Sequence, residues 1–133
     1  MATLVKKTYS SLVTCKLVSE RIVVIGLENC LLVNAYFPCD KGTLESSDLL
    51  LDMLSDIERV VNSCGCYEYI LMGGDFNTNL NVDRKNSIAL KTFLCDLKMT
   101  FVDHTHGSYK VPHTFSNEKR DSFSIYRFFM PFN

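Results

Sequence analysis

The stretch that decides the fold lies at residues 69–77 and reads Tyr69-Ile70-Leu71-Met72-Gly73-Gly74-Asp75-Phe76-Asn77. Its apolar first half predicts a short buried strand over residues 68–72. The two glycines that follow let the backbone turn sharply and let a ligand approach closely. Asp75 and Asn77 stand two positions apart, and in an extended segment such residues point to the same side. We therefore expect both side chains to face one pocket beyond the carboxyl end of the strand, a usual ligand position in open α/β sheets.

These two residue types suit the chemistry of a phosphate or metal site. Asp75 offers hard anionic oxygens for Mg²⁺ or for a water molecule, and Asn77 offers a carbonyl acceptor and an amide donor. The same letters also describe an Asx-rich turn capping a strand, because Gly, Asp and Asn are the commonest turn residues. The residue types alone favour the turn.

Upstream, two apolar runs rich in β-branched residues occupy residues 21–27 and 30–37. Glu28 and Asn29 separate them as a two-residue turn, which predicts an antiparallel hairpin. Nearly continuous apolarity predicts strands that are covered on both faces. Pro38 cannot donate to a ladder and is expected to end the second strand.

Helical periodicity marks two further segments, one starting at Ser46 or Ser47 as N-cap and stopping near Gly65, the other spanning about residues 87–98. Their periodic apolar positions are Leu49, Leu50, Met53, Leu54, Ile57, Val60 and Val61, then Ile88, Leu90, Phe93, Leu94 and Leu97. Three strand candidates follow, at residues 100–102, 113–116 and 122–130. The alternation predicts a mixed α/β fold with helices packed on a sheet.

Composition fits one ordinary globular domain. The chain has 133 residues, 47% of them hydrophobic and 22% charged, and we see no repeat or linker within it. Fourteen Lys and Arg against fifteen Asp and Glu give a net charge of −1. This balance counts against a stand-alone DNA-binding module, which usually carries a basic surplus, but it does not exclude a nuclease.

The six cysteines and the N-terminus predict an intracellular protein with reduced thiols. Three of the cysteines lie in apolar runs, where a free Cys behaves as a small hydrophobe. The first seven residues lack the apolar core of a signal peptide. No apolar run approaches the roughly 18 residues of a membrane span, so no membrane partner is expected.

Four segments together resemble the endonuclease/exonuclease/phosphatase family. Gly74-Asp75-Phe76-Asn77 after an apolar strand is similar to its central motif, and Val33-Asn34-Ala35-Tyr36-Phe37-Pro38 is similar to its strand ending in Tyr-x-Pro. Phe101-Val102-Asp103 and His113-Thr114-Phe115-Ser116 are similar to segments further along. Tyr36-Phe37-Pro38-Cys39-Asp40 is most similar to the endonuclease domains of non-long-terminal-repeat retroelements.

The resemblance implies a partial version of the family's sandwich of mixed β-sheets flanked by helices. It also implies Mg²⁺- or Mn²⁺-dependent hydrolysis of a phosphodiester, with DNA as the partner. It implies that Asp75 aligns the attacking water or supports the metal. It also implies that Asn77 and Tyr36 contact the scissile phosphate, with Arg127 as a further phosphate contact. The matching region is residues 21–130; residues 1–20 form a segment of uncertain match and residues 131–133 a tail.

The sequence departs from the family pattern at several places. The family's early Asn, its metal-binding Glu and its closing Ser-Asp-His have no counterpart among the 133 residues. Tyr126, in Ser124-Ile125-Tyr126, stands where the family has an Asp, and a Tyr is neutral at pH 7. We therefore expect an incomplete site, weak metal binding and impaired catalysis; the alternatives are a non-enzymatic binding scaffold or a different phosphoesterase of the same family.

Two other groups of residues have weaker interpretations. Cys64 and Cys66 with His104, His106 and His113 suggest zinc, but their spacing is off pattern and an ordinary loop explains them better. A loose basic set could contact phosphates or form a solvated face; its members are Lys110, Lys119, Arg120 and Arg127.

Overall fold

A six-stranded mixed sheet with two helices is the main body of the fold. The structure is a computed structural model that describes residues 3–65 and 67–99 with their side chains, and the strands among residues 100–131 as backbone. The elements are a 3₁₀ helix Lys7–Leu12, β1 Val13–Val18, β2 Ile22–Leu27, β3 Cys30–Tyr36, α1 Leu44–Ser63, β4 Tyr69–Asp75, α2 Lys85–Asp96, β5 Thr100–Phe101, β6 Phe115–Ser116, β7 Ser122–Phe123 and β8 Phe128–Pro131.

The order of strands in the large sheet is β1-β2-β3-β4-β8-β5, and β6 pairs with β7 in a second sheet. Within the large sheet β3 and β4 run parallel, and the other paired strands run antiparallel. A parallel pair needs a crossover connection, and here α1 provides it. This architecture confirms the predicted α/β class with mixed strands and flanking helices.

The predicted hairpin is confirmed in position and register. Leu27 lies opposite Cys30, so Glu28 and Asn29 form the two-residue turn, with Glu28 in the left-handed region at φ 51°. β3 ends at Tyr36, two residues before Pro38, as the missing N–H of proline requires.

Strand β1 was not predicted, because residues 1–20 show little hydrophobic pattern. It pairs with β2, with an irregularity between Cys15 and Leu17, and only Val13 and Leu17 are partly covered. An edge strand that buries so little of its surface leaves a weak signal in the sequence. The division at residue 20 stays a prediction, although β1 extends the sheet upstream of it.

Both helices begin earlier than predicted. Thr43 is extended and its side chain accepts a hydrogen bond from the Ser46 amide at 3.3 Å, so Thr43 is the N-cap of α1. The prediction of Ser46 or Ser47 was wrong, because both lie inside the first turns. The second helix starts at Lys85, where the Arg84 amide donates to the Ser87 hydroxyl at 2.9 Å. Neither helix is long and apolar enough to cross a membrane.

One face of the sheet and the inner sides of the helices form a single core. The sheet contributes Ile22, Val24, Leu31, Val33, Ala35, Ile70 and Met72, and the helices contribute Leu50, Met53, Leu54, Ile57, Val61, Leu90, Phe93 and Leu94. Helical periodicity was wrong at the edges of these faces. Leu49 is 38% exposed and Ile88 is 52% exposed.

Strand β4 does not stop before its glycines. Gly73 and Gly74 pair with Asn34 and Ala35, and the ladder continues to Asp75, so the predicted sharp turn at the glycines was wrong. A Cβ on Gly74 would stand 1.9 Å from the Ala35 carbonyl oxygen, and Gly74 has φ +134°. The glycine is therefore required by the close approach of two strands.

The C-terminal strand predictions were partly right. The segment predicted as one strand at 122–130 contains two, β7 and β8, and β8 pairs with β4. The predicted strand at 113–116 is represented by β6, and the one at 100–102 by β5. Val102, His113 and Thr114 lie outside the described residues.

Replacing Gly74 by Ala should destabilise the protein by about 3 kcal/mol, because the new Cβ meets backbone and the φ value suits only glycine. The matched control is Gly73→Ala, since a Cβ there meets nothing within 4 Å and should change stability by less than about 1 kcal/mol. Urea denaturation measures both. Equal effects of the two substitutions would contradict this account of the sheet.

Candidate functional site

The sheet register brings Arg21, Tyr36 and Asp75 into one row. Tyr36 is the parallel partner of Asp75, and the Tyr36 amide donates to the Arg21 carbonyl at 2.8 Å. Residues in register across adjacent strands point to the same face. Ala35 is fully buried in the helix-covered core, so the row lies on the opposite face of the sheet. The row stands at the carboxyl ends of β3 and β4, as predicted for Tyr36 and Asp75.

Tyr36 and Arg21 contact each other through their side chains. The Arg21 guanidinium carbon lies 5.2 Å from the centroid of the Tyr36 ring, which is a cation–π distance. Tyr36 is 42% exposed. The phenol is thus exposed and Arg21 is partly exposed, in the same row as the partly exposed Asp75.

The chain leaves the strand through a turn at Asp75. Its Oδ1 accepts a hydrogen bond from the Asn77 amide at 3.1 Å, and Asn77 is in the left-handed region at φ 46°. This is an Asx turn, as the simpler interpretation of these residues anticipated. Residue 77 is not extended, so the alternation of a strand does not apply to Asp75 and Asn77, and their placement toward one pocket stays a prediction.

Asn77 instead ties the turn to the end of β3. Its Nδ2 donates to the Phe37 carbonyl at 2.9 Å in a buried position, and the Phe37 amide donates to the Asp75 carbonyl at 2.9 Å. Beneath these bonds the Phe37 and Phe76 rings stack with centroids 5.0 Å apart, and both are fully buried. The two strand ends are therefore held together by hydrogen bonds above an aromatic pair.

The arrangement can bind a phosphate but does not by itself make a tight metal site. Arg and Tyr side chains donate hydrogen bonds to phosphate oxygens. Within residues 3–65 and 67–99, no three His, Cys, Asp or Glu side chains come together in a way that could hold a metal ion. One carboxylate, Asp75, does not fit the oxygen-rich ligand set of Mg²⁺ or Mn²⁺.

Several predicted site residues lie outside the described part of the chain. These are Tyr126, the phosphate candidates Lys110, Lys119, Arg120 and Arg127, and the zinc candidates Cys66, His104, His106 and His113. Of the zinc set only Cys64 is described, and it is buried in the core. The five described cysteines are all free, and burial raises the pKa of the Cys30 thiol, against the lowering effect of a backbone hydrogen bond.

A separate groove lies between the first turns of α1 and α2. It is lined by Leu44, Ser47, Asp48, Leu51, Lys85, Asn86, Ile88 and Ala89, none of them a predicted site residue. Asn86 is 1% exposed, and its side-chain nitrogen and oxygen have no hydrogen-bond partner among the described residues. The groove is on the helix side of the sheet, away from the row of Arg21, Tyr36 and Asp75.

Arg21 is the site residue that the sequence prediction missed. The sequence pattern marks it only as the start of a strand, although the hairpin register carries a signal for its position. Its position opposite Tyr36 makes it part of the row.

Comparison with solved structures shows what this arrangement is similar to. An AP endonuclease from Archaeoglobus fulgidus matches with a TM-score of 0.53 and 16% sequence identity, over 88% of this chain and 57% of that endonuclease. The likeness supports a nuclease-like α/β fold. The chain spans a little over half the length of the matched endonuclease. No family model and no curated protein matches the sequence.

Asn77 tests how the site is held. Asn77→Ala should destabilise the protein by about 2–3 kcal/mol, since it leaves the buried Phe37 carbonyl without its partner and replaces Asn, which tolerates the left-handed region, by Ala, which does not. Asn77→Gly loses the same hydrogen bond but suits that backbone, so it should cost about 1 kcal/mol less. Urea denaturation gives both free energies of unfolding, and a glycine variant no more stable than the alanine variant would contradict the backbone part of this account.

Proposed function

We propose that this chain is an endonuclease/exonuclease/phosphatase-type domain, ancestrally a Mg²⁺-dependent phosphodiester hydrolase acting on DNA, which is catalytically impaired but keeps a phosphate-binding site. The observation that carries the proposal is the row at the carboxyl ends of two adjacent parallel strands, where Tyr36 and Asp75 are register partners. Ligands in open α/β sheets bind at this end of the strands. The nuclease-like fold adds support.

In this proposal the site binds the DNA backbone. Tyr36 donates its hydroxyl proton to a phosphate oxygen. Asn77 already donates one amide proton to Phe37, and an Asn side chain carries a second N–H, which contacts the same phosphate. Asp75, which in the ancestral enzyme would align water or support Mg²⁺ or Mn²⁺, stands beside that phosphate, and Arg127 supplies a further cation.

We propose a retroelement endonuclease as the origin, on the strength of Tyr36-Phe37-Pro38-Cys39-Asp40. Hydrolysis by this polypeptide alone is impaired. Tyr126 stands where the resembling family has an Asp, and a neutral phenol does not replace an anionic metal ligand. In this proposal the domain has kept DNA binding and lost turnover. It lies inside the cell, where its thiols stay reduced. The described site has a single carboxylate, and this favours a binding scaffold without turnover over an active hydrolase.

The binding site is tested by Asp75→Asn with a fluorescein-labelled DNA duplex and fluorescence anisotropy. The amide keeps an oxygen for the Asn77 amide but removes a negative charge beside the phosphate. Binding in EDTA should therefore tighten about fivefold, the worth of one water-screened charge contact. The matched control is Asp56→Asn, which removes the same charge from the surface of α1, where Asp56 pairs with Arg59. If both variants bind equally, the phosphate does not sit at Asp75.

The loss of turnover is tested by incubating the purified protein with supercoiled plasmid and Mg²⁺ or Mn²⁺. We expect negligible nicking, because one carboxylate holds a hard dication weakly. Robust nicking that disappears in Asp75→Ala would overturn the impairment and show a working nuclease. Asp56→Ala serves as the control for protein quality.

A further inference from the structure

We propose that Arg21, stacked on Tyr36, is a phosphate-binding residue that holds the DNA strand at this site. This inference rests on the proposed function and adds a residue that the sequence motifs do not include. It starts from the position of Arg21 opposite Tyr36 in the row.

The backbone of Arg21 is fixed on both sides. Its carbonyl accepts from the Tyr36 amide at 2.8 Å. In the turn between β1 and β2, the Ser19 hydroxyl oxygen accepts from the amides of Arg21 and Ile22 at 3.3 and 3.0 Å. The side chain therefore leaves the sheet from a defined point instead of from a free loop.

The Arg21 side chain is held by a ring rather than by a carboxylate. Its guanidinium lies 5.2 Å from the Tyr36 ring centroid, and the ion pairs of the described residues join Arg59 to Asp56 and Lys91 to Asp83. A guanidinium stacked on an aromatic face keeps its N–H edges in the plane, available for bidentate contact with a phosphate. A carboxylate partner would occupy those same edges.

The neighbours explain why this cation matters for an anionic ligand. Asp75 repels a phosphate that approaches Tyr36, and a cation in the same row offsets that repulsion. Stacking also limits the freedom that an Arg side chain must lose on binding. Arg21 thus attracts the DNA backbone to the end of the row, and the Tyr36 hydroxyl sets the position of the phosphate.

The test is DNA affinity as a function of salt. Arg21→Ala should weaken binding of the labelled duplex about tenfold and lower the slope of log K against log salt by about 1, the signature of one lost phosphate contact. Arg21→Lys keeps the charge but not the planar fork, so it should keep the slope and lose part of the affinity. Arg59→Ala, on a 73% exposed side chain of α1, is the matched control and should behave as wild type.

A second comparison tests the stacking. The effect of Arg21→Ala is measured again in Tyr36→Phe, which keeps the ring, and in Tyr36→Ala, which removes it. We expect the full effect in the first background and less than half of it in the second, because the two residues act as a unit. Thermal unfolding of each variant identifies any loss of folded protein, and affinities are referred to the folded fraction.

The outcomes separate the two proposals. If wild type binds the duplex while Arg21→Ala and Arg59→Ala are indistinguishable, the role of Arg21 is overturned and DNA binding stands. An Arg21 effect that is unchanged in Tyr36→Ala overturns the stacking. If wild type does not bind the duplex at low salt, the proposed function fails and this inference fails with it.

Discussion

The parallel pairing of β3 with β4 is the constraint on which the rest of the structure depends. It joins the hairpin to the segment after α1 and determines which residues stand side by side at the carboxyl ends of both strands. The pairing requires that Gly74 carry no side chain, because the Ala35 carbonyl occupies the place of a Cβ. Sequence patterns treat such a glycine as a turn former, but Gly74 is needed here because it has no side chain.

The site follows from this pairing with few additional parts. Once Tyr36 and Asp75 are register partners, the Phe37 amide reaches the Asp75 carbonyl and the Asn77 side chain reaches back to Phe37. Each of these bonds spans the two strand ends, so their polar groups are held in place before any ligand arrives. Such preorganisation lowers the ordering that binding would otherwise require.

The sequence predicted the hairpin and both helices, because each of these has a local signal; Asp75 was singled out by its place after an apolar strand, and Tyr36 by the family resemblance. A two-residue turn also fixes the register of the hairpin. Counting six residues back from Leu27 and six forward from Cys30 places Arg21 opposite Tyr36, so this contact was predictable in principle. Sequence alone could not give the offset of β3 against β4, since parallel strands are joined through a helix whose length does not set their register.

Two other errors arise where a local side-chain hydrogen bond overrides the periodic pattern, and a third arises from low burial. The turn at Asp75 formed because an Asx side chain bonds the amide two residues on, which overrides the extended geometry that the strand would otherwise continue. Thr43 is the cap of α1 because it is extended at the helix start and its side chain accepts from the Ser46 amide, whereas the sequence pattern offered Ser46 or Ser47. The edge strand β1 was missed because it buries little apolar surface.

The neighbouring glycines have opposite consequences for how the protein can change. Gly73 stands on the same face as Asp75 by strand alternation, and open space surrounds the place of its missing Cβ. A side chain introduced there would project next to the row without displacing the sheet. Gly73 is thus the position from which selection or design could reshape the site, whereas Gly74 confines the backbone to the arrangement it has.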